Sequence, residues 1–205
     1  MEVIDPGFAT VAAAAIALLG AAIGFIVSQT VEYFRINKES KNRQRERLVE
    51  KRISAHELVI GLCQDMVAMK PVNAKSDDSF PRGPWVLESV SAFENFYRRF
   101  VDIHSESSTW LWIETKRELN FCQDYFLILY GYLQNHKEVN LDQLSNDIRQ
   151  DFIDMSENLR KTSMDYLANE MPKLKFDDLN EWHKFKKTET TKRFQSTMLK
   201  KKYIK

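Results

Sequence analysis

The sequence predicts an all-α protein: a single N-terminal transmembrane helix continuing into a cytosolic helical bundle of about five helices. Three observations predict it. An apolar run fills residues 8–27, apolar residues recur at steps of three and four through most of the remaining chain, and neither period-two alternation nor an Asn-Gly or Asp-Gly hairpin dipeptide occurs.

From Phe8 to Val27 the chain reads FATVAAAAIALLGAAIGFIV, twenty residues with Thr10 as the only polar side chain. That is the length needed to cross a bilayer core. A cleaved secretory signal starts with basic residues, whereas MEVIDPG carries Glu2 and Asp5 and no Lys or Arg. Residues 1–7 are thus expected as a short extracytosolic N-terminus and 8–28 as a retained membrane helix. Between Arg35 and Arg52, eight basic residues face Glu39, Glu46 and Glu50. Positive flanks stay in the cytoplasm, so the expectation is a single pass through the inner (cell) membrane, N-terminus outside and C-terminal domain cytoplasmic.

Small residues mark one face of this run. Ala13, Ala17, Ala21, Gly24 and Ser28 step by 4, 4, 3 and 4, and Gly20 with Gly24 forms a small-xxx-small pair. Lipid gives apolar helices no hydrophobic reason to pair, so close backbone approach across small residues is how they associate. The stripe predicts a homo-oligomer in contact with membrane lipid; the plainer reading is a weakly apolar anchor.

No glycine or proline falls between Gly24 and Gly61, so residues 29–70 read as a basic stalk helix continuing the membrane helix. Its seam is Val49, Ile53, His56, Ile60, Cys63 and Val67, stepping 4, 3, 4, 3, 4. His56 on that seam reads as a register-setting polar residue, a pH reporter or a tolerated one. Residues 71–85 read as a loop, since Pro71, Pro81, Gly83 and Pro84 interrupt any helix there. The bundle then occupies 86–183. A second helix follows Val86, Val90, Phe93, Tyr97, Phe100 and His104, and Ser107 or Ser108 is the expected N-cap of a third through Thr115, Leu119, Cys122, Phe126, Leu129 and Leu133. A fourth runs from about Leu141 to Glu170, ahead of Pro172, and a shorter fifth starts near Asp177 with Leu179, Trp182 and Phe185 on its apolar side. The many aromatics of helices two and three are expected in the core between them.

The net charge of +1 conceals an asymmetry: residues 184–205 carry nine basic residues and one acid, while residues 53–183 carry a net −9. Such a basic C-terminal tail suits anionic lipid or nucleic acid, or remains a solvated terminus. Cys63 and Cys122 are too few for a disulfide framework and read as small buried hydrophobes in a reducing compartment.

Familiar catalytic patterns are missing. There is no P-loop, GxGxxG, HExxH or GxSxG, and the four histidines are too scattered for a zinc pattern, so neither cofactor nor metal is implied. One constellation remains, YRRFVDIH at 97–104, in which four residues separate Arg99 from His104. A histidine can serve as general acid or base on a 2′-hydroxyl while an arginine steadies phosphorane charge, the chemistry of a metal-independent RNase. With these residues the chain resembles the HEPN superfamily of helical bundles, whose nucleases carry Arg, four to six residues, then His. Its layout is also similar to the accessory membrane pore proteins of type VI-B RNA-guided defence systems. The resemblance implies Arg99 and His104 as catalytic residues, RNA as substrate, an oligomeric pore or membrane-perturbing accessory of antiviral defence, and a protein partner from such a system. Phe100 stands where the nuclease pattern has Asn, Asp or His. The same residues also make ordinary surface ion pairs, Glu94 with Arg98 and Asp102 with Arg98 or Arg99. A non-catalytic membrane tether that docks a soluble partner through its acidic bundle fits the composition as well.

Overall fold

With no helix-breaking residue between Gly24 and Gly61, the computed structural model carries the stretch as part of one helix, α1, Pro6–Val67. The structure describes residues 6–75, 80–136, 138–171 and 187–204, with side chains for all of these except 6–23, 26, 170 and 187–189. The chain divides between Val49 and Glu50 into two units.

In the first unit, the described part of α1 is exposed along nearly its whole length and braced by intrahelical ion pairs, Arg35 to Glu32 at 2.7 Å and Arg43 to Glu39 at 3.6 Å. Among the described residues no helix is long and apolar enough to cross a membrane. The expected span at 8–28 is helical in its backbone, but most of its side chains lie outside the described set, so the structure supports the all-α class without supporting the transmembrane helix.

The second unit is a helical bundle. Its described helices after α1 are α2 (Val90–Ser107), α3 (Ile113–Asn135), α4 (Leu141–Asp147), α5 (Arg149–Asp165), α6 (Lys187–Ser196) and α7 (Met198–Tyr203). Ser89 caps α2, its Oγ accepting from Ala92 N–H at 3.0 Å. Phe126 of α3 sits at the centre of the core. Its ring meets Phe96 and Phe100 of α2 edge-on at 5.2 and 5.1 Å and Phe152 of α5 at 5.5 Å. The aromatics of α2 and α3 thus form the core between those helices, as expected. Edge-to-face pairs of this kind add roughly 0.5–1.5 kcal/mol each beyond the area they bury.

Several boundaries differ from the sequence reading. The expected loop at 71–85 is framed by a two-stranded antiparallel ladder, β1 (Met69–Pro71) with β2 (Arg82–Pro84), in which Met69 faces Pro84. Strands of three residues are too short to show period two, and prolines end both. Ser107 and Ser108 do not cap the third helix. Ser107 is buried in the last turn of α2, its Oγ donating to the Ile103 carbonyl at 2.5 Å, the back-bonding that lets a serine stay helical. Trp112 precedes α3 instead. The expected fourth helix is broken at Ile148 (φ −97°, ψ 7°), and Asn140 caps its first piece by accepting from Gln143 N–H at 3.0 Å. A π-helical turn, Tyr166–Glu170, follows α5. The expected fifth helix near Asp177 lies outside the described residues.

Gly83 is where β2 crosses α4. A Cβ there would collide with the Ser145 side chain, which is buried and donates to the Asp142 carbonyl at 3.1 Å. Gly83→Ala should therefore destabilise the chain by about 1–3 kcal/mol as an overpacked site. Thermal unfolding should show that Ser145→Gly, which frees that space, makes the double variant more stable than the sum of the two single changes predicts.

Candidate functional site

Three groups of residues carry the chemistry of this chain, and the fold treats them differently. Arg99 is exposed on α2 and pairs with Asp65 of α1, Nη1 to Oδ2 at 2.6 Å. His104, further along α2, is half-buried; its Nε2 lies 2.7 Å from Asn120 Oδ1 on α3, so Nε2 carries the proton and donates. Its ring also stacks near Phe100 at 6.3 Å. Positions five apart on a helix differ by about 140° in direction. Here the two side chains are held by partners on different helices. A free imidazole facing a free guanidinium, the pair that RNA cleavage needs, is not what this chain's own contacts build.

The seam of α1 is the second group. Burial selects Ala55, Val59, Leu62 and Met66 as its inward line, with His56 and Cys63 beside it. Of the expected seam, His56 and Cys63 are buried, Val49, Ile53 and Ile60 are half-buried and Val67 is exposed. The inward face is rotated by about one residue, roughly 100°, from the sequence reading. The cause is that a stripe of alternating threes and fours has an apolar neighbour line at Val59, Leu62 and Met66 that fits equally well.

His56 is wholly buried and fully satisfied. Nδ1 donates to the Arg52 carbonyl at 2.7 Å, and Nε2 accepts from the Trp112 N–H at 3.4 Å. Its ring stacks on Tyr166 at 4.2 Å and 12° from parallel, and Arg52 donates to the Tyr166 hydroxyl at 3.3 Å. Burial, helped by the Arg52 charge, holds the ring's pKa below its ordinary 6.5 against the pull of the backbone hydrogen bond. A neutral ring with both nitrogens engaged is a structural histidine, tying α1 to the start of α3 and the end of α5.

Of the small-residue stripe, Ala13, Ala17, Gly20 and Ala21 have side-chain positions outside the described residues, whereas Gly24 and Ser28 are exposed, with open space around Gly24.

The third group carries no motif in the sequence. Residues 187–204, expected as part of a basic tail, fold into α6 and α7 and dock on the bundle. Asp151, almost buried on α5, accepts from Met198 N–H and Leu199 N–H, each at 2.9 Å, and from the Tyr125 hydroxyl at 2.9 Å. Burial, the largest influence, pushes its carboxyl above the ordinary carboxylate value despite those three donors. Asp147 accepts from Lys202 Nζ at 2.7 Å and Tyr203 Oη at 2.6 Å. Burial alone would raise Asp147, but those hydrogen bonds, the Lys202 charge and Gln143 together hold it low. Arg193 pairs with Glu118 at 2.6 Å and lies 3.9 Å from the centre of the Phe121 ring. Thr197 caps α7 and Leu199 is fully buried. A signal for this docking exists in Phe194, Met198 and Leu199 behind a Thr cap, but the lysines around them read as a solvated end.

Two clefts flank this clasp. One of about 760 Å³ is lined by Lys75, Asp147, Arg149 and Lys202 among others, and one of about 310 Å³ by Phe121, Asp154 and Arg193 among others. Among the described residues no three His, Cys, Asp or Glu side chains are grouped to hold a metal ion.

The burial of His56 and of Leu199 can each be tested by unfolding. Unfolded His56 takes up a proton near pH 6.5, whereas the folded ring does so only at lower pH. Its contribution to stability is therefore present above 6.5 and lost as pH falls through that window. Thermal unfolding of the native chain should weaken between about pH 7 and 5.5, and His56→Gln should flatten this dependence. Leu199→Ala should lower stability by about 2–5 kcal/mol, as for a buried leucine, whereas Arg99→Ala, which removes an exposed ion pair, should change it by less than about 1 kcal/mol, both read from denaturant unfolding.

Comparison of the chain with protein-family models, curated proteins and solved structures finds no match.

Proposed function

We propose that this is a membrane-anchored, self-associating helical protein whose activity is exerted at the membrane. The observation that carries the reading is the twenty-residue apolar run Phe8–Val27 with its small-residue face, lying in a helix that has no break before Val67. That length suits a bilayer core, and the excess of basic residues from Arg35 to Arg52 suits a cytoplasmic flank in an inner membrane. In this reading the N-terminus is outside and the bundle is cytosolic. Ala13, Ala17, Gly20, Ala21, Gly24 and Ser28 form the contact between copies. An oligomeric pore, or another membrane-perturbing accessory of antiviral defence, is the form of that activity which the family resemblance implies.

The RNase reading draws less support. Arg99 is engaged by Asp65 and His104 by Asn120, and the body of the chain is acidic where RNA would have to lie.

The test is the mass of the full-length protein in detergent, by light scattering corrected for bound detergent. A defined oligomer is expected. Gly20→Leu with Gly24→Leu should reduce it to monomer, and because nothing in the chain crowds Gly24, the larger side chain there disturbs association and not the fold. An oligomer that survives both substitutions contradicts the proposal.

A further inference from the structure

Beyond the expected span, α1 is charge-segregated. At about 100° per residue, Glu32, Glu39, Glu46 and Glu50 all fall within a sector of roughly 40°. Arg35 and Arg43 border that sector and pair with it, Arg35 with Glu32 at 2.7 Å and Glu39 at 3.9 Å, and Arg43 with Glu39 at 3.6 Å. A different face carries Val27, Val31, Phe34, Lys38, Lys41 and Arg45, stepping 4, 3, 4, 3, 4 and confined to about 80°. All six are exposed, and Lys38, Lys41 and Arg45 make no ion pair among the described residues. The apolar half of this stripe ends at the Tyr33–Phe34 pair, edge-on at 6.0 Å, and the cationic half begins one turn later.

We infer that this stripe is a binding surface for anionic phospholipid. Its partner must be apolar alongside Val27, Val31 and Phe34 and negatively charged alongside Lys38, Lys41 and Arg45. A bilayer with acidic headgroups has that order of layers, with aromatic rings at the boundary between them. A nucleic acid offers charge without the apolar layer. A parallel second copy in register would set cation against cation on this face. Glu32 and Glu39 of the acidic sector are engaged by Arg35 and Arg43, and Lys38, Lys41 and Arg45 lie on a different face, open to headgroup phosphates. The inference rests on the membrane reading above and adds to it a lipid class and the residues that select it.

The test uses the full chain reconstituted in phosphatidylcholine vesicles containing phosphatidylglycerol, with spin-labelled phosphatidylglycerol or phosphatidylcholine reporting the lipid held beside the protein. At low salt the native chain should prefer the anionic label about threefold, and this preference should fall towards one in roughly 1 M salt. Lys38→Gln, Lys41→Gln and Arg45→Gln together should bring it to one at low salt while leaving the protein in the vesicles after alkaline carbonate. A native chain that resists carbonate but shows no preference overturns the lipid assignment and leaves the membrane span standing. Extraction of the native chain by carbonate overturns the span and the lipid assignment together. A triple variant that keeps its lipid preference but loses oligomer mass overturns the assignment in favour of a neighbouring copy's acidic face.

Discussion

Ala55, Val59, Leu62 and Met66, spaced by four, three and four residues, bury one face of α1 in the core, and His56 enters with them as a polar ring whose two nitrogens are both engaged. The apolar side chains supply the burial free energy, while His56 fixes rotation about the helix axis. Turning α1 by one residue would strip that ring of the Trp112 N–H and leave a buried polar atom unpaired, costing about 1–3 kcal/mol. Ser156 of α5 adds a second constraint by donating to the Cys63 carbonyl at 3.0 Å. Both cysteines owe their chemistry to the same packing. Burial, the main influence, raises the Cys63 thiol to about 11 and Cys122 well above its ordinary value, so neither is a reactive thiolate at neutral pH.

Charge is distributed by a similar logic. The sequence sets a strongly acidic body against a basic C-terminal stretch, and the fold brings the two together. Glu118 meets Arg193, Asp147 meets Lys202, and Asp151 takes the backbone N–H groups at the start of α7. Two of the basic residues at the C-terminal end, Arg193 and Lys202, are therefore answered within the chain. The cations of α1 at 38, 41 and 45 make no ion pair among the described residues and lie in line with Val27, Val31 and Phe34 on one helix face, which suits them to an anionic partner with an apolar layer.

How much of this was legible varies with the physics behind each feature. Long amphipathic helices announce themselves, and Phe93, Phe100, Phe126 and Phe152 could be assigned to the core from spacing alone. Short elements could not, because three-residue strands such as Met69–Pro71 have no period, and a break at Ile148 needs no glycine or proline. The rotation of the α1 seam shows a further limit: periodicity identifies an apolar band, but which line within it faces inward depends on partners distant in sequence, here Trp112 and Tyr166. The Arg99 and His104 motif matched in spacing only. Its side chains are claimed by Asp65 and Asn120, neither of which the motif contains.

In the proposed reading α1 crosses a membrane once with its N-terminus outside. Cys63 and Cys122 are buried, so an impermeant thiol reagent applied to intact spheroplasts would report only on cysteines introduced for the purpose. The account predicts that Glu2→Cys is labelled in intact cells and Ser40→Cys only after permeabilisation. Labelling of Ser40→Cys in intact cells, or protection of both positions until the membrane is opened, would contradict it.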